Sequence, residues 1–212
     1  MKKLLITRPD HDEATYFIYH WSNEIIKFAE KRGIKVYDLA KDRANRASFL
    51  SYMEAQNPKF VVLNGHGDSH AIFGYKNEMV ANEKDGEIFE GKIVYTIACE
   101  AAKSFGRKIV KSGCRCFIGY REKFVFVIDE RELTKPLKNR FAAPFFIATN
   151  KIPLSLVKGN TASEALRRAR EEFRRQIIKW RQSKELEAPF IINALLMDLM
   201  NLTLLGNELE KF

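Results

Sequence analysis

The sequence predicts an α/β fold with a mostly parallel central sheet and helices on both faces. Three observations lead there. Short continuous apolar runs, Phe60-Val-Val-Leu63 and Ile93-Val-Tyr-Thr-Ile-Ala98 among them, read as strands buried on both faces of a parallel sheet. These runs alternate with segments of helical periodicity. The links between them are short and end in glycine or proline signals.

Taken in order, Lys3 to Thr7 reads as the first strand. Glu13 to Arg32 reads as a helix, with Ala14, Phe17, Ile18, Trp21, Ile25, Phe28 and Ala29 at helical spacing and Gly33 as its stop. Lys35 to Leu39 is the second strand, and Arg46 to Gln56 a helix ended before Pro58. Phe60 to Asn64 is the third strand. His70 to Gly74 and Glu78 to Ala81 are β-like runs around Tyr75-Lys-Asn77, a hairpin signal. Lys92 to Ala98 is the fourth strand, Ala101 to Lys111 a helix closed by Ser112-Gly113, and Cys114 to Tyr120 the fifth strand. After a loop containing Glu122 to Pro136, the chain turns mostly helical. Thr161-Ala-Ser-Glu164 is a capping box that opens a helix reaching about Lys184. Pro189 to Gly206 reads as a buried C-terminal helix, because Asn193, Asp198 and Asn201 interrupt it and it is short for a membrane span.

The 212 residues are 46% hydrophobic and include 16 Phe, enough for a large core. No linker or low-complexity tract divides them, so residues 1-212 read as one domain. The opening Met1-Lys-Lys-Leu-Leu-Ile-Thr-Arg8 begins like a signal peptide, but Asp10 and Asp12 follow too soon, and a cytoplasmic protein is expected. Three cysteines suggest no disulfide framework and leave a thiol free for chemistry. The net charge of +9 invites a nucleic-acid partner. Its densest run, Arg167 to Arg181, also carries Glu171 and Glu172, which reads as a solvated helix face. No phosphate-binding glycine loop is present, so nucleic acid is disfavoured as a partner.

Two strand ends carry the chemistry. In Asn64-Gly-His66-Gly67-Asp68 a histidine follows a buried strand, with glycines on both sides that allow close backbone approach. An imidazole, with an ordinary pKa of about 6.5, exchanges protons at cellular pH. In Ile97-Ala-Cys99-Glu100 a cysteine ends another strand, and a helix starting near Ala101 would aim its amino terminus at the thiol and favour thiolate. Ligands of parallel sheets bind beyond the carboxyl ends of the strands. If the two strands are neighbours, about 5 Å apart, His66 and Cys99 meet there as a nucleophile and its base. Gly67 and Cys99 offer amides to an oxyanion. Cys114 and Cys116 read as core. A metal site of His66, His70 and Cys99 lacks any Cys-x-x-Cys or His-x-x-x-His spacing, and none is assigned.

The order of apolar block with His66-Gly67, then apolar block with Ala98-Cys99, resembles the caspase-like cysteine peptidases of clan CD. The resemblance extends over about residues 1 to 206. Ile97-Ala-Cys-Glu-Ala-Ala-Lys-Ser-Phe-Gly106, then Ile109-Val-Lys-Ser-Gly-Cys-Arg-Cys-Phe-Ile-Gly-Tyr120, look most like gingipain-like and CHAT-domain members. Leu204-Leu-Gly-Asn-Glu208 is similar to their Leu-Gly-Asp-Pro ending, with Asn-Glu replacing Asp-Pro. The caspase pentapeptide Gln-Ala-Cys-x-Gly is absent, with Ile97 and Glu100 in place of the expected neighbours, so this is no true caspase. Ile97 also stands where several Arg-specific relatives carry an acid.

The resemblance implies a caspase-like three-layer sandwich and a cysteine endopeptidase. Cys99 would attack the scissile carbonyl, His66 would move the proton, and the Gly67 and Cys99 amides would hold the oxyanion. The family requires no third side chain, which leaves Asp68 as a loop cap. No cofactor serves the chemistry, although some relatives depend on calcium. Peptide or protein is the expected substrate, and a homodimer is an option because some branches pair through sheet edges. For specificity, Arg8 and Arg121, each after a strand, would grip an acidic P1 side chain. Glu100, Glu122, Asp129 and Glu130 lie in the same region and would instead select a basic one. The rival readings are a catalytically silent caspase-like scaffold and a basic α/β nucleic-acid-binding module.

Overall fold

The computed structural model describes all 212 residues. Its six-stranded main sheet comprises β1 (Lys3–Arg8), β2 (Lys35–Ala40), β3 (Phe60–Leu63), β7 (Ile93–Thr96), β8 (Cys116–Tyr120) and β9 (Leu202–Gly206), in the order β2-β1-β3-β7-β8-β9. The first five of these in chain order pair parallel, and β9 closes the edge antiparallel to β8. A small antiparallel sheet of β4 (His66–Gly67), β5 (Ala71–Phe73) and β6 (Met79–Asn82) grows out of the β3–β7 crossover.

Strand alternation sorts the apolar side chains into two layers. Leu4, Ile6, Phe60, Val62, Ile93, Tyr95, Cys116 and Ile118 face one side. There they pack on α1 (Glu13–Trp21), α2 (Asn23–Glu30), α5 (Ala143–Thr149), α6 (Lys151–Val157), α7 (Ala162–Arg181) and α8 (Ala188–Asn201). Leu5, Val61, Leu63, Val94 and Phe117 face the other, against α3 (Arg46–Gln56), α4 (Phe105–Lys111), β5 and β6. The fold is therefore α/β, with a mostly parallel sheet covered on both faces. No helix is long and apolar enough to cross a membrane.

Several elements differ from the sequence expectation. The first helix breaks at Ser22, whose hydroxyl bonds back to the Ile18 carbonyl at 2.7 Å, so α1 and α2 are separate. The expected C-terminal helix stops at Asn201 and the chain becomes edge strand β9. Nor is α8 buried all round, since Phe190 and Met200 are 70% and 78% exposed. The helix expected from Ala101 begins only at Phe105, because residues 101–104 are turns and Glu100 is left-handed, with φ 58°. Cys114 precedes β8 instead of lying within it.

The capping box at Thr161 is half formed. Thr161 Oγ1 accepts from the Glu164 amide at 3.2 Å, but the Glu164 carboxylate turns to Arg167 and Arg168, each at 2.7 Å. Those guanidiniums hold its pKa down at about 2. With Arg175 on Glu172 at 2.7 Å, α7 presents a mixed, internally paired face. The Glu164 pairs stabilise the fold fully above its ordinary value of 4.5, and that stabilisation disappears as pH falls toward about 2. Glu164→Gln is therefore expected to lower the thermal midpoint at pH 7, with the gap to wild type closing near pH 2 in a calorimetric pH series.

Candidate active site

Parallel pairing of β3 with β7 sets Leu63 opposite Thr96. Three residues beyond each of these lie His66 and Cys99, on the carboxyl edge of adjacent strands. Two threonines fasten the bends after the strands. Thr96 Oγ1 donates to the Leu63 carbonyl at 2.6 Å and accepts from the Ala98 amide at 3.0 Å. Thr7 Oγ1, on β1, donates to the Asn64 carbonyl and accepts from the Asn64 amide, both at 2.9 Å.

Gly65 turns the chain out of the sheet with φ 146°, and a Cβ there would fall 2.0 Å from the Phe73 carbonyl oxygen. His66 then pairs with Phe73 in the small sheet. A Cβ on Gly67 would stand 2.7 Å from Ala98 Cβ and 2.9 Å from the Cys99 carbonyl oxygen. The His66-Gly67 backbone thus runs directly against Ala98-Cys99, a contact only glycine permits. The Cys99 amide makes no hydrogen bond within the chain. It remains a donor for a ligand's oxygen.

The His66 ring has a partner that the sequence did not reveal. His66 Nε2 donates to Asp12 Oδ2 at 2.6 Å. Asp12 is the N-cap of α1, and its Oδ1 accepts from the Thr15 amide and hydroxyl, both at 2.8 Å. Burial pushes the Asp12 carboxyl up, but the Thr15 amide and the His66 ring outweigh it and hold it below the usual range. An ionised carboxylate only accepts, so the neutral tautomer of His66 carries its proton on Nε2 and leaves the Nδ1 lone pair free. Asp68 caps its own loop by accepting from the His70 and Ala71 amides at 2.7 and 2.8 Å. His70 pairs with Glu83 at 3.1 Å and does not join His66.

Cys99 is partly buried, and its sulfur has the Phe124 carbonyl oxygen 4.0 Å away. Burial pushes its thiol pKa up, outweighing the Phe124 backbone hydrogen bond and the Lys123 charge, which act to lower it, and the Glu100 carboxylate adds to the rise. The resting group is a thiol. That corrects the thiolate expected from a helix amino terminus, since α4 starts too far along the chain to act on the sulfur. Behind it, fully buried Asp198 on α8 accepts from the Val125 amide at 3.0 Å and pins the segment after β8 over the sulfur. Burial keeps this carboxyl protonated far above the ordinary range.

The expected substrate residues separate. Arg8 is 5% exposed at its side chain and forms a two-pronged ion pair with Asp38, its Nε donating at 2.8 Å. It also donates to the Tyr19 carbonyl and Asn23 Oδ1 at 3.0 and 2.7 Å, and stacks on the Tyr19 ring. Four of the five guanidinium N–H donors are engaged within the chain, so the expected Arg8–Arg121 grip on one carboxylate is not formed. Arg121 is exposed, and its Nη2 donates only to Thr203 Oγ1 at 3.1 Å. Glu122 is exposed and accepts from Lys103 at 2.8 Å. Comparison with protein-family models and with curated proteins finds no match to this chain.

Two outcomes are expected. Alkylation with iodoacetamide in the native state should modify one thiol per chain, none in Cys99→Ala, at a rate still rising at pH 9. Cys114 and Cys116 stay unreacted because burial raises both, Cys114 up to about 12. Asp38→Ala should cost about 3 kcal/mol in denaturant unfolding, because it strands a buried guanidinium.

Proposed function

We propose that this protein is a caspase-like cysteine endopeptidase with a Cys99/His66 dyad. The observation that carries the reading is the abutment of His66-Gly67 on Ala98-Cys99 at the carboxyl edge of β3 and β7. It is supported by the free Nδ1 of His66, the unpaired Cys99 amide and the resemblance of both strand-end motifs to that peptidase family.

In the proposed reaction, peptide binding brings the Cys99 thiol proton to His66 Nδ1. The thiolate attacks the scissile carbonyl carbon, and the oxyanion is held by the Cys99 and Gly67 amides. The His66 imidazolium, steadied by ionised Asp12, gives its proton to the departing amine. A water molecule, deprotonated by His66, then attacks the thioester carbonyl, the C–S bond breaks to release the acid, and the departing Cys99 thiolate takes the proton back from His66. Because the resting thiol pKa is raised, base assistance by His66 is required at neutral pH. Selectivity comes from the P1 side chain, read by Arg121 and Glu122 after β8. Asp12 is a positioning residue that fixes the tautomer of His66.

The test is hydrolysis of fluorogenic peptides with Asp, Asn, Arg, Lys or Leu at P1, with and without calcium. Cys99→Ala and His66→Ala should abolish turnover. Asp12→Asn should lower kcat by about 10²-fold or more and change its pH profile while the fold is kept. No cleavage by wild type, together with a Cys99 inert to peptide-based thiol reagents, would overturn the reading. The second reading, a silent scaffold of the same architecture, is favoured by one observation: the hydrogen-bond partner of the sulfur is the Phe124 carbonyl, not the imidazole.

A further inference from the structure

We infer that His11, Asp12 and His66 form a binding site for a divalent transition metal ion such as Zn²⁺, and that the bound ion switches off His66 as a base. One donor atom from each of the three residues lies within 4.8 Å of the others. His11 Nε2 stands 3.4 Å from Asp12 Oδ2, and His66 Nε2 2.6 Å from the same oxygen. Two ligands about 2.1 Å from a tetrahedral zinc stand about 3.4 Å apart. The first pair already has that spacing, and the second needs only to open from a hydrogen bond.

An independent observation points to a ligand. The His11 side chain is 10% exposed, yet neither ring nitrogen has a hydrogen-bond partner. Its ring is held edge-on between those of His66 and Tyr75, at centroid distances of 6.0 and 5.6 Å. A buried imidazole with both nitrogens unpaired costs free energy, and an ion on Nε2 removes that cost. The outer contacts of a metal site are in place too, since Asp12 Oδ1 is fixed by Thr15 and leaves Oδ2 for the ion. His66 and Asp12 are 39% and 37% exposed, so an ion reaches them from solvent. Two imidazoles and one carboxylate suit zinc or cobalt and are poor for calcium or magnesium.

Coordination through Nε2 requires the His66 proton to sit on Nδ1. The nitrogen that takes the thiol proton in the proposed reaction then has no lone pair to offer. Only this inhibitory consequence rests on the peptidase reading; the site itself does not.

The experiment is calorimetric titration of the metal-free protein with Zn²⁺, and with Co²⁺ followed by visible absorption. Wild type and Cys99→Ala are expected to bind one equivalent, Co²⁺ giving a tetrahedral spectrum. His11→Phe, and His11→Gln as a second variant checked for an unchanged thermal midpoint, should weaken binding by at least about 100-fold. Zn²⁺ should inhibit peptide cleavage by wild type, reversibly with EDTA, and leave His11→Phe active. No binding by wild type, or binding indifferent to His11, would overturn the site. Binding that depends on His11 in a protein without peptidase activity would overturn the peptidase reading alone.

Discussion

Parallel registration of β3 with β7 is the constraint on which the site depends. Leu63 lies opposite Thr96, and the two strand exits therefore leave the sheet side by side. The threonine bonds beyond that rung convert a pairing of backbones into a fixed placement of side chains. Gly67 lets the two exits touch, since any Cβ there would collide with Ala98 and force the histidine segment away. Everything attributed to His66 and Cys99 follows from that contact.

The electrostatics of the two strand ends differ for the same reason, which is access to water. His66 remains partly open and is oriented by an ionised aspartate anchored at the start of α1. The Cys99 sulfur lies under the segment that follows β8, which Asp198 fastens from below. Its desolvation favours the neutral thiol. An acid, an imidazole and a thiol thus occupy one sheet edge with their protons in defined places. The same arrangement leaves the imidazole and carboxylate open to capture by a cation beside the unpartnered His11.

Arg8 shows how a correct local reading gives way to tertiary context. It does end β1 at the site edge. The parallel register of β1 and β2 aligns it with Ala40, which puts Asp38 two residues back on the same face. Once buried beside Tyr19 and Asn23, a guanidinium needs fixed acceptors for its donors, and the chain provides them internally. Arg121 and Glu122, by contrast, stay exposed just beyond the end of β8.

The sequence by itself determined the α/β class and the parallel strands. It also located α3, ending before Pro58 as expected, and placed His66 and Cys99 at strand ends. Those features are local, encoded in apolar runs, periodicity and adjacent glycines. Tertiary structure alone decided the roles of Asp12, His11, Asp38 and Asp198. Asp12 meets His66 across 54 residues and Arg8 meets Asp38 across 30, distances over which no periodic pattern carries information. It also decided that Leu202–Gly206 is a strand, because the free edge of β8 supplies backbone partners that a C-terminal helix would leave unused.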